Sequence, residues 1–80
     1  MGEPISVQEM TEIWRAVLRD QSVRPDTDFF DLGGHSLAAI RIAQQIETAC
    51  GIRLPPSAIH DNPTPERLAV LVGRHLAEAD

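Results

Sequence analysis

Residues 28–37 read DFFDLGGHSL, an aromatic loop that ends in two glycines and a serine. Ser36 opens the apolar run 37–40, and apolar positions then recur with helical spacing as far as Gly51. This spacing predicts a helix over 36–50 with Gly51 as its C-terminal cap. A hydroxyl at the start of a helix lies beside unpaired amide groups and the positive end of the helix dipole, which favours a phosphate ester on Ser36. A serine in this position can also act simply as the helix N-cap.

Two further long helices flank this one. Ser6 and Glu9 have the spacing of a capping box and predict the start of the first, while Thr64 followed by Pro65 predicts the start of the last. Residues 54–59 allow at most one short turn of helix. The apolar positions with helical spacing are Val7, Met10, Ile13, Trp14, Val17 and Leu18 in the first helix, and Leu68, Ala69, Leu71, Val72 and Leu76 in the last.

Between the first two helices, residues 21–35 are rich in proline, glycine and aspartate, which predicts a loop. Loops this long in compact domains are usually functional or held by their own side chains, so we expect Leu32 and at least one of Phe29 and Phe30 to pack onto the helices. No segment shows the sustained alternation of a strand. The sequence therefore predicts an all-α fold, a bundle of three main helices plus one short helix, with a long loop after the first helix.

The helix over 36–50 has two different faces. The positions predicted to face the core are Ala39, Ile42, Ala43, Ile46 and then Ala49 or Cys50. Leu37 and Ile40 lie on another side, which Arg41 and Gln44 continue. An apolar pair that gives way to polar residues beside Ser36 indicates an exposed surface for partner proteins. We call these four residues the docking patch.

Composition limits the possible functions. Eighty residues form one small domain, expected to span 1–80 with an ordered core over about 6–77, and leave little room to enclose a substrate. Twelve acidic residues against seven arginines give a net charge of −5, which opposes nucleic-acid binding. The single cysteine, Cys50, is expected in the core and excludes an internal disulfide. This cysteine usage predicts a reducing, cytoplasmic compartment. No segment has the length and hydropathy of a membrane span, so we expect no membrane partner.

Catalysis and metal binding fit these residues poorly. His35 and Ser36 are neighbours in sequence, and neighbours rarely reach the geometry of a base and its nucleophile. Asp26, Asp28 and Asp31 lack the spacing of a calcium loop, and we expect them to make turn hydrogen bonds instead. The three histidines are too dispersed to predict a metal site. The sequence thus predicts neither catalytic residues nor metal ligands.

The run over residues 28–37 resembles the phosphopantetheine attachment site of carrier proteins, most closely that of the peptidyl carrier (thiolation) domains of nonribosomal peptide synthetases. The resemblance continues in DNPTPERLA, residues 61–69, and covers most of the chain. It implies an acyl-carrier-like fold, no catalytic activity, and 4'-phosphopantetheine transferred from coenzyme A onto Ser36. It also implies that Gly33 and Gly34 form the tight turn before the attachment point and that His35 adjusts recognition beside it.

The resemblance implies partners as well. A phosphopantetheinyl transferase would modify Ser36 with coenzyme A and magnesium, and adenylation, condensation, tailoring or thioesterase domains would then load and receive the carried group. We expect the chain to be a monomer. His35 favours the peptidyl type, since polyketide and fatty-acid carriers more often have aspartate there, but an acyl carrier of those pathways stays an alternative. A second alternative is an unmodified helical interaction module with Ser36 as a cap. His60 stands where the family commonly has a larger apolar or aromatic residue.

Overall fold

The computed structural model describes residues 5–33 and 35–78, except for the side chain of Glu78, and these residues form four helices. They are α1 (Val7–Leu18), α2 (Ser36–Cys50), α3 (Ser57–Asp61) and α4 (Pro65–Glu78). Helix α1 packs against both α2 and α4, and α3 packs against α2. Within the described residues there is no strand, and the predicted bundle of three main helices and one short helix is confirmed.

The predicted helix starts and ends are present as hydrogen-bonded caps. The Ser6 hydroxyl accepts a hydrogen bond from the Glu9 N–H at 3.0 Å, and the Glu9 carboxylate accepts one from the Ser6 N–H at 3.3 Å. At α4, the Thr64 hydroxyl accepts from the Arg67 N–H at 3.2 Å. Gly51 caps α2 in the left-handed conformation, with φ 76°. Local sequence therefore determines where the three long helices begin or end.

One hydrophobic core joins the helices and the long loop. Its largest fully buried side chains are Trp14, Phe29, Met10, Ile42, Ile46, Ile59, Leu68, Val23 and Val72. The predicted core face of α2 is buried and ends at Cys50, whereas Ala49 is exposed. In α1, Val7 is exposed although it belongs to the apolar series, and Thr11 is buried. Thr11 is accommodated because its hydroxyl donates to the Val7 carbonyl oxygen at 2.8 Å.

The loop over residues 21–35 is held to the bundle chiefly by Phe29. Its ring is fully buried and contacts Trp14 edge to face, with the ring centroids 5.7 Å apart. Its N–H also donates to the Pro63 carbonyl oxygen at 2.6 Å, which fixes the loop to the start of α4. Leu32 is half-buried against the core, and Phe30 is 52% exposed. The prediction that Leu32 and at least one phenylalanine hold the loop is confirmed.

Hydrogen bonds hold the ends of the loop. At its start, the Arg15 guanidinium donates to the carbonyl oxygen of buried Val23 at 2.9 Å. The hydroxyl and N–H of Ser22 both donate to the Asp20 carboxylate, and these hydrogen bonds lower the pKa of Asp20. Further along, the Asp28 carboxylate accepts from the Phe30 N–H at 2.8 Å, the turn hydrogen bond predicted for it.

Replacing Gly51 or Gly73 by alanine should change the free energy of unfolding in opposite directions. Gly51 has a left-handed backbone and Gly73 lies within α4, and a Cβ added at either position would meet nothing within 4 Å. Gly51→Ala should therefore lower the free energy of unfolding by about 1 kcal/mol through backbone conformation alone. Gly73→Ala should raise it by about 0.5–1 kcal/mol because alanine favours a helix interior. Urea denaturation followed by circular dichroism measures both, and shifts of the same sign would contradict this account.

Candidate functional site

Ser36 is the first residue of α2 and the residue before it, His35, is the N-cap. His35 has an extended backbone, with φ −136° and ψ 174°, and its side chain makes no capping hydrogen bond. The interpretation of Ser36 as the N-cap is therefore wrong by one position. The Ser36 side chain is exposed, and its hydroxyl has no hydrogen-bond partner among the described residues.

The turn before Ser36 depends on Gly33. Its φ of 69° is left-handed, a conformation that L side chains rarely adopt. Its N–H donates to the Phe30 carbonyl oxygen at 3.1 Å, and the loop is thereby folded back before α2 begins. The prediction for Gly34 lies outside the described residues.

The first turn of α2 has no acidic side chain to offset the positive end of the helix dipole. The first hydrogen bond of the helix runs from the Ala39 N–H to the His35 carbonyl oxygen at 3.0 Å, so the three preceding N–H groups have no partner within the helix. The first turn of α2 contains no acidic residue, whereas Glu9 and Glu66 stand in the first turns of α1 and α4. A phosphate joined to the exposed hydroxyl of Ser36 would meet this positive end. The residues present therefore fit a phosphopantetheine group.

The structure brings the docking patch together on one exposed face of α2. Leu37 is 52% exposed and Ile40 is 39% exposed, and both Arg41 and Gln44 are exposed. Their spacing of three and four residues places them on adjacent turns, directly after Ser36. Large apolar side chains left exposed together are typical of a surface that a partner covers.

A pair of stacked rings that the sequence did not predict joins the loop to α3. Phe30 stacks on His60 of α3 with the ring centroids 5.5 Å apart and an interplanar angle of 28°. His60 is half-buried and also contacts Phe29 edge to face at 5.9 Å. His60 thus packs α3 against the loop through its ring. The sequence does contain one signal for this contact. His60 places an imidazole ring where the family commonly has a large apolar or aromatic residue.

The thiol of Cys50 belongs to the core and not to the candidate site. Cys50 is buried, and its thiol donates to the Ile46 carbonyl oxygen at 3.2 Å, which confirms it as a core residue. Among residues 5–33 and 35–78, no cluster of three or more histidine, cysteine or acidic side chains is arranged to hold a metal ion. None of the four helices in this part of the chain is long and apolar enough to cross a membrane.

Residues 8–72 match the family model described as "Phosphopantetheine attachment site". The chain belongs to this family. The predicted resemblance, the acyl-carrier-like fold and 4'-phosphopantetheine as the cofactor are thereby confirmed, and a phosphopantetheine carrier is supported over an unmodified interaction module.

Two relatives of this carrier domain are much longer synthases. Tyrocidine synthase 3 of Brevibacillus parabrevis is 41% identical over 66 residues, which are 82% of the carrier domain and 1% of that protein. The phenolphthiocerol synthesis polyketide synthase type I Pks15/1 of Mycobacterium bovis is 42% identical over 57 residues, which are 71% of the carrier domain and 3% of that protein. The carrier domain thus spans only a few per cent of the length of these relatives.

A solved structure shows the same fold at lower identity. A chain in the complex described as the phosphopantetheine transferase Sfp with coenzyme A and a peptidyl carrier protein matches with a TM-score of 0.79 and 31% identity. The match covers 85% of the carrier domain and 88% of that chain.

Proposed function

We propose that this domain is a peptidyl carrier of nonribosomal peptide synthesis that receives phosphopantetheine on Ser36. The observation that carries the proposal is the exposed hydroxyl of Ser36 at the first position of α2, within a chain of the phosphopantetheine attachment family. When bound, the group supplies a terminal thiol that carries an aminoacyl or peptidyl unit as a thioester.

The residues around Ser36 prepare its hydroxyl for modification by another enzyme. The left-handed turn at Gly33 folds the loop back, and His35 ends the loop so that Ser36 begins the helix. Once modified, Ser36 would hold a negative phosphodiester where the first N–H groups of α2 point, which stabilises that charge. No described residue donates to or accepts from the Ser36 hydroxyl as a base would, and we infer that the transferase supplies the base and the metal.

We infer that the domain is a non-catalytic monomer over residues 1–80. A single core joins its four helices, and the functional side chains lie on the outside of that core rather than in an enclosed pocket. Its partners would be a phosphopantetheinyl transferase and adenylation, condensation, tailoring or thioesterase domains. A coenzyme A donor and the thiol of buried Cys50 favour a reducing compartment, and we propose the cytoplasm.

The acyl group that the modified domain accepts distinguishes a peptidyl carrier from a polyketide carrier. His35 before the attachment serine and the Phe29–Phe30 pair support the peptidyl type. The modified protein is incubated either with a panel of adenylation enzymes, ATP and amino acids, or with a malonyl transferase and malonyl-coenzyme A. Intact mass should show one amino acid added in the first reaction. A gain of malonyl alone would identify a polyketide carrier.

A charged substitution in the docking patch should impair partner recognition without unfolding the domain. Leu37→Asp should lower kcat/KM for modification by the transferase by about tenfold or more, because burial of a leucine contributes roughly 1.5–3 kcal/mol and the carboxylate would be desolvated. The matched control is Val70→Asp on α4, because the exposed fractions of Val70 and Leu37 are similar, 56% and 52%. Equal rates for both variants and the wild type would remove the docking role from Leu37.

A further inference from the structure

An apolar cleft lies between the N-terminal half of α1 and the C-terminal end of α2. Its volume is about 430 Å³, and it is lined by Ile5, Gln8, Glu9, Glu12, Ile13 and Ala49. This volume lies within the range of about 300–1,000 Å³ that is typical of binding clefts. Ala49 lies about 19.5 Å along the axis of α2 from Ser36. The cleft is therefore at the opposite end of α2 from the candidate attachment point.

The floor of the cleft consists of aliphatic side chains that the rest of the core leaves partly uncovered. Ile13 is half-buried, and Ala49 is exposed because Cys50 takes the last core position of α2. Ile5 is buried and adds one edge of its side chain to the floor. The methyl group of Ala49 is small, so a partner group can approach α2 closely here. Covering such a concave apolar surface is favourable.

The charged lining residues of the cleft are both acidic. The Glu9 carboxylate accepts a hydrogen bond from the Ser6 N–H at 3.3 Å, and the Glu12 carboxylate accepts one from the Arg15 guanidinium at 2.7 Å. Each uses one oxygen, and the second oxygen of each has no hydrogen-bond partner among the described residues. No arginine of the described chain lines the cleft. The rim therefore offers two acceptors to a cation.

The end of α2 adds to this negative character. Its last turn contains no basic residue, and the last carbonyl groups of a helix have no partner within it. Arg53, beyond the helix, pairs with Glu47 at 3.2 Å, so these two charges offset each other. The negative end of a helix dipole favours a cation. The cleft thus combines an apolar floor with groups that stabilise positive charge.

We propose that this cleft docks a basic amphipathic segment of a partner protein. An arginine or lysine of the segment lays its aliphatic stem on Ile13 and Ala49 and places its cationic head beside Glu9 and Glu12. An apolar side chain of the segment covers Ile5. This second interaction surface goes beyond the proposed function, because it does not depend on modification of Ser36.

The position of the cleft allows it to be occupied together with the docking patch. The docking patch begins directly after Ser36, and the cleft shares no residue with it. A partner segment held in the cleft therefore leaves Ser36 accessible to another protein. Exposed charge pairs contribute little individually. A segment on a neighbouring domain, at a local concentration in the millimolar range, therefore suits this surface better than a free protein does.

Nuclear magnetic resonance on the unmodified domain tests this proposal. Protein labelled with ¹⁵N is titrated with a synthetic peptide that has leucines at helical spacing, i, i+3, i+4 and i+7, and arginines at the other positions. The amide resonances of Gln8, Glu12 and Ala49 should shift and saturate, and those of Leu37 and Val70 should not shift. A peptide of the same composition with scattered leucines should bind about tenfold more weakly, because it presents no continuous apolar face.

Matched variants separate the cleft from the overall charge of the protein. Ala49→Arg should weaken peptide binding about tenfold or more, because the new side chain fills the cleft and supplies its own cation. Ala77→Arg adds the same side chain at an exposed alanine of α4 and should leave binding unchanged. Glu12→Gln should weaken binding about two- to fivefold, as expected on loss of an exposed ion pair. Glu66→Gln, at an exposed glutamate of α4, should have no effect.

Each remaining outcome would overturn the proposal. No saturable binding, shifts spread over the whole acidic surface, or equal binding of the scattered peptide would leave only general charge attraction. Shifts confined to the docking patch would place the basic segment there instead. Spermidine that shifts the same amides with the affinity of the peptide would identify a small-cation site.

The cleft and the carrier function are tested separately. Ser36→Ala should bind the peptide as the wild type does, and Ala49→Arg should gain phosphopantetheine at the wild-type rate. Loss of peptide binding in Ser36→Ala would contradict a surface that is independent of the attachment point. Failure of the wild type to gain phosphopantetheine would overturn the carrier function and leave the cleft intact.

Discussion

Ser36→Ala is expected to abolish phosphopantetheinylation completely. The variant lacks the only atom to which we assign the phosphodiester bond, and no change in protein conformation can replace it. The free energy of unfolding should change by less than about 0.5 kcal/mol, because the serine side chain is exposed and has no hydrogen-bond partner among the described residues. Intact mass after incubation with a transferase, coenzyme A and magnesium measures the modification, and circular dichroism measures the fold.

The matched control for this variant is Ser57→Ala. Ser57 is also exposed and is also the first residue of a helix, α3, so the two substitutions have the same local effect on structure. The Ser57→Ala protein should gain one arm at the wild-type rate. A loss of modification in both variants would point to unfolding or to a general requirement for serine, and would contradict the assignment to Ser36.

Phe29→Ala is expected to destabilise the fold more than the other single changes considered. Loss of a fully buried phenylalanine lowers the free energy of unfolding by about 3–5 kcal/mol, through lost transfer free energy and the cavity left behind. Domains of this size have total stabilities of only about 4–12 kcal/mol, so a large part of the population could unfold at 37 °C. The edge-to-face contact with Trp14 would also be lost. Urea denaturation measures the change.

Phe30→Ala is the matched control for the core variant. It removes the same side chain one position further along, but from a residue that is 52% exposed and whose main described contacts are the rings of His60 and Phe29. The expected loss is about 1 kcal/mol, the contribution of an aromatic pair outside the core. Similar losses for the two variants would contradict the assignment of Phe29 as the residue that holds the loop.

The sequence predicted the helices well because their signals are local. The capping box of Ser6 and Glu9, Thr64 before Pro65 and the glycine at 51 determine helix ends through hydrogen bonds over three or four residues. The two faces of α2 follow from helical spacing alone. Residues 28–37 indicated the family for the same reason, because the residues that carry the resemblance are contiguous in the sequence.

Long-range packing explains what the sequence could not predict. Phe29 and Phe30 are identical neighbours, and only the Pro63 carbonyl and the ring of Trp14, both distant in sequence, determine which one is buried. Val23 and Ile5 are buried although neither belongs to a helical pattern.

The alternative interpretation of Ser36 as the N-cap is wrong for a different reason. Serine is a much better capping residue than histidine, so local preference favoured Ser36 as the cap. In the structure His35 occupies the cap without a side-chain hydrogen bond, and the Ser36 hydroxyl is exposed, with no hydrogen bond to another described residue. The helix therefore departs from the preferred cap residue directly before Ser36, the residue to which we assign the attachment.

The most direct test of the central claim is to locate the modification within the wild-type chain. The sequence contains four serines, at positions 6, 22, 36 and 57, so a gain in intact mass does not by itself identify the site. After reaction with a transferase and coenzyme A, tandem mass spectrometry of the digested protein should place one phosphopantetheine per chain on Ser36. A folded protein that gains no arm, or gains it on another serine, would contradict the assignment of Ser36 as the attachment residue.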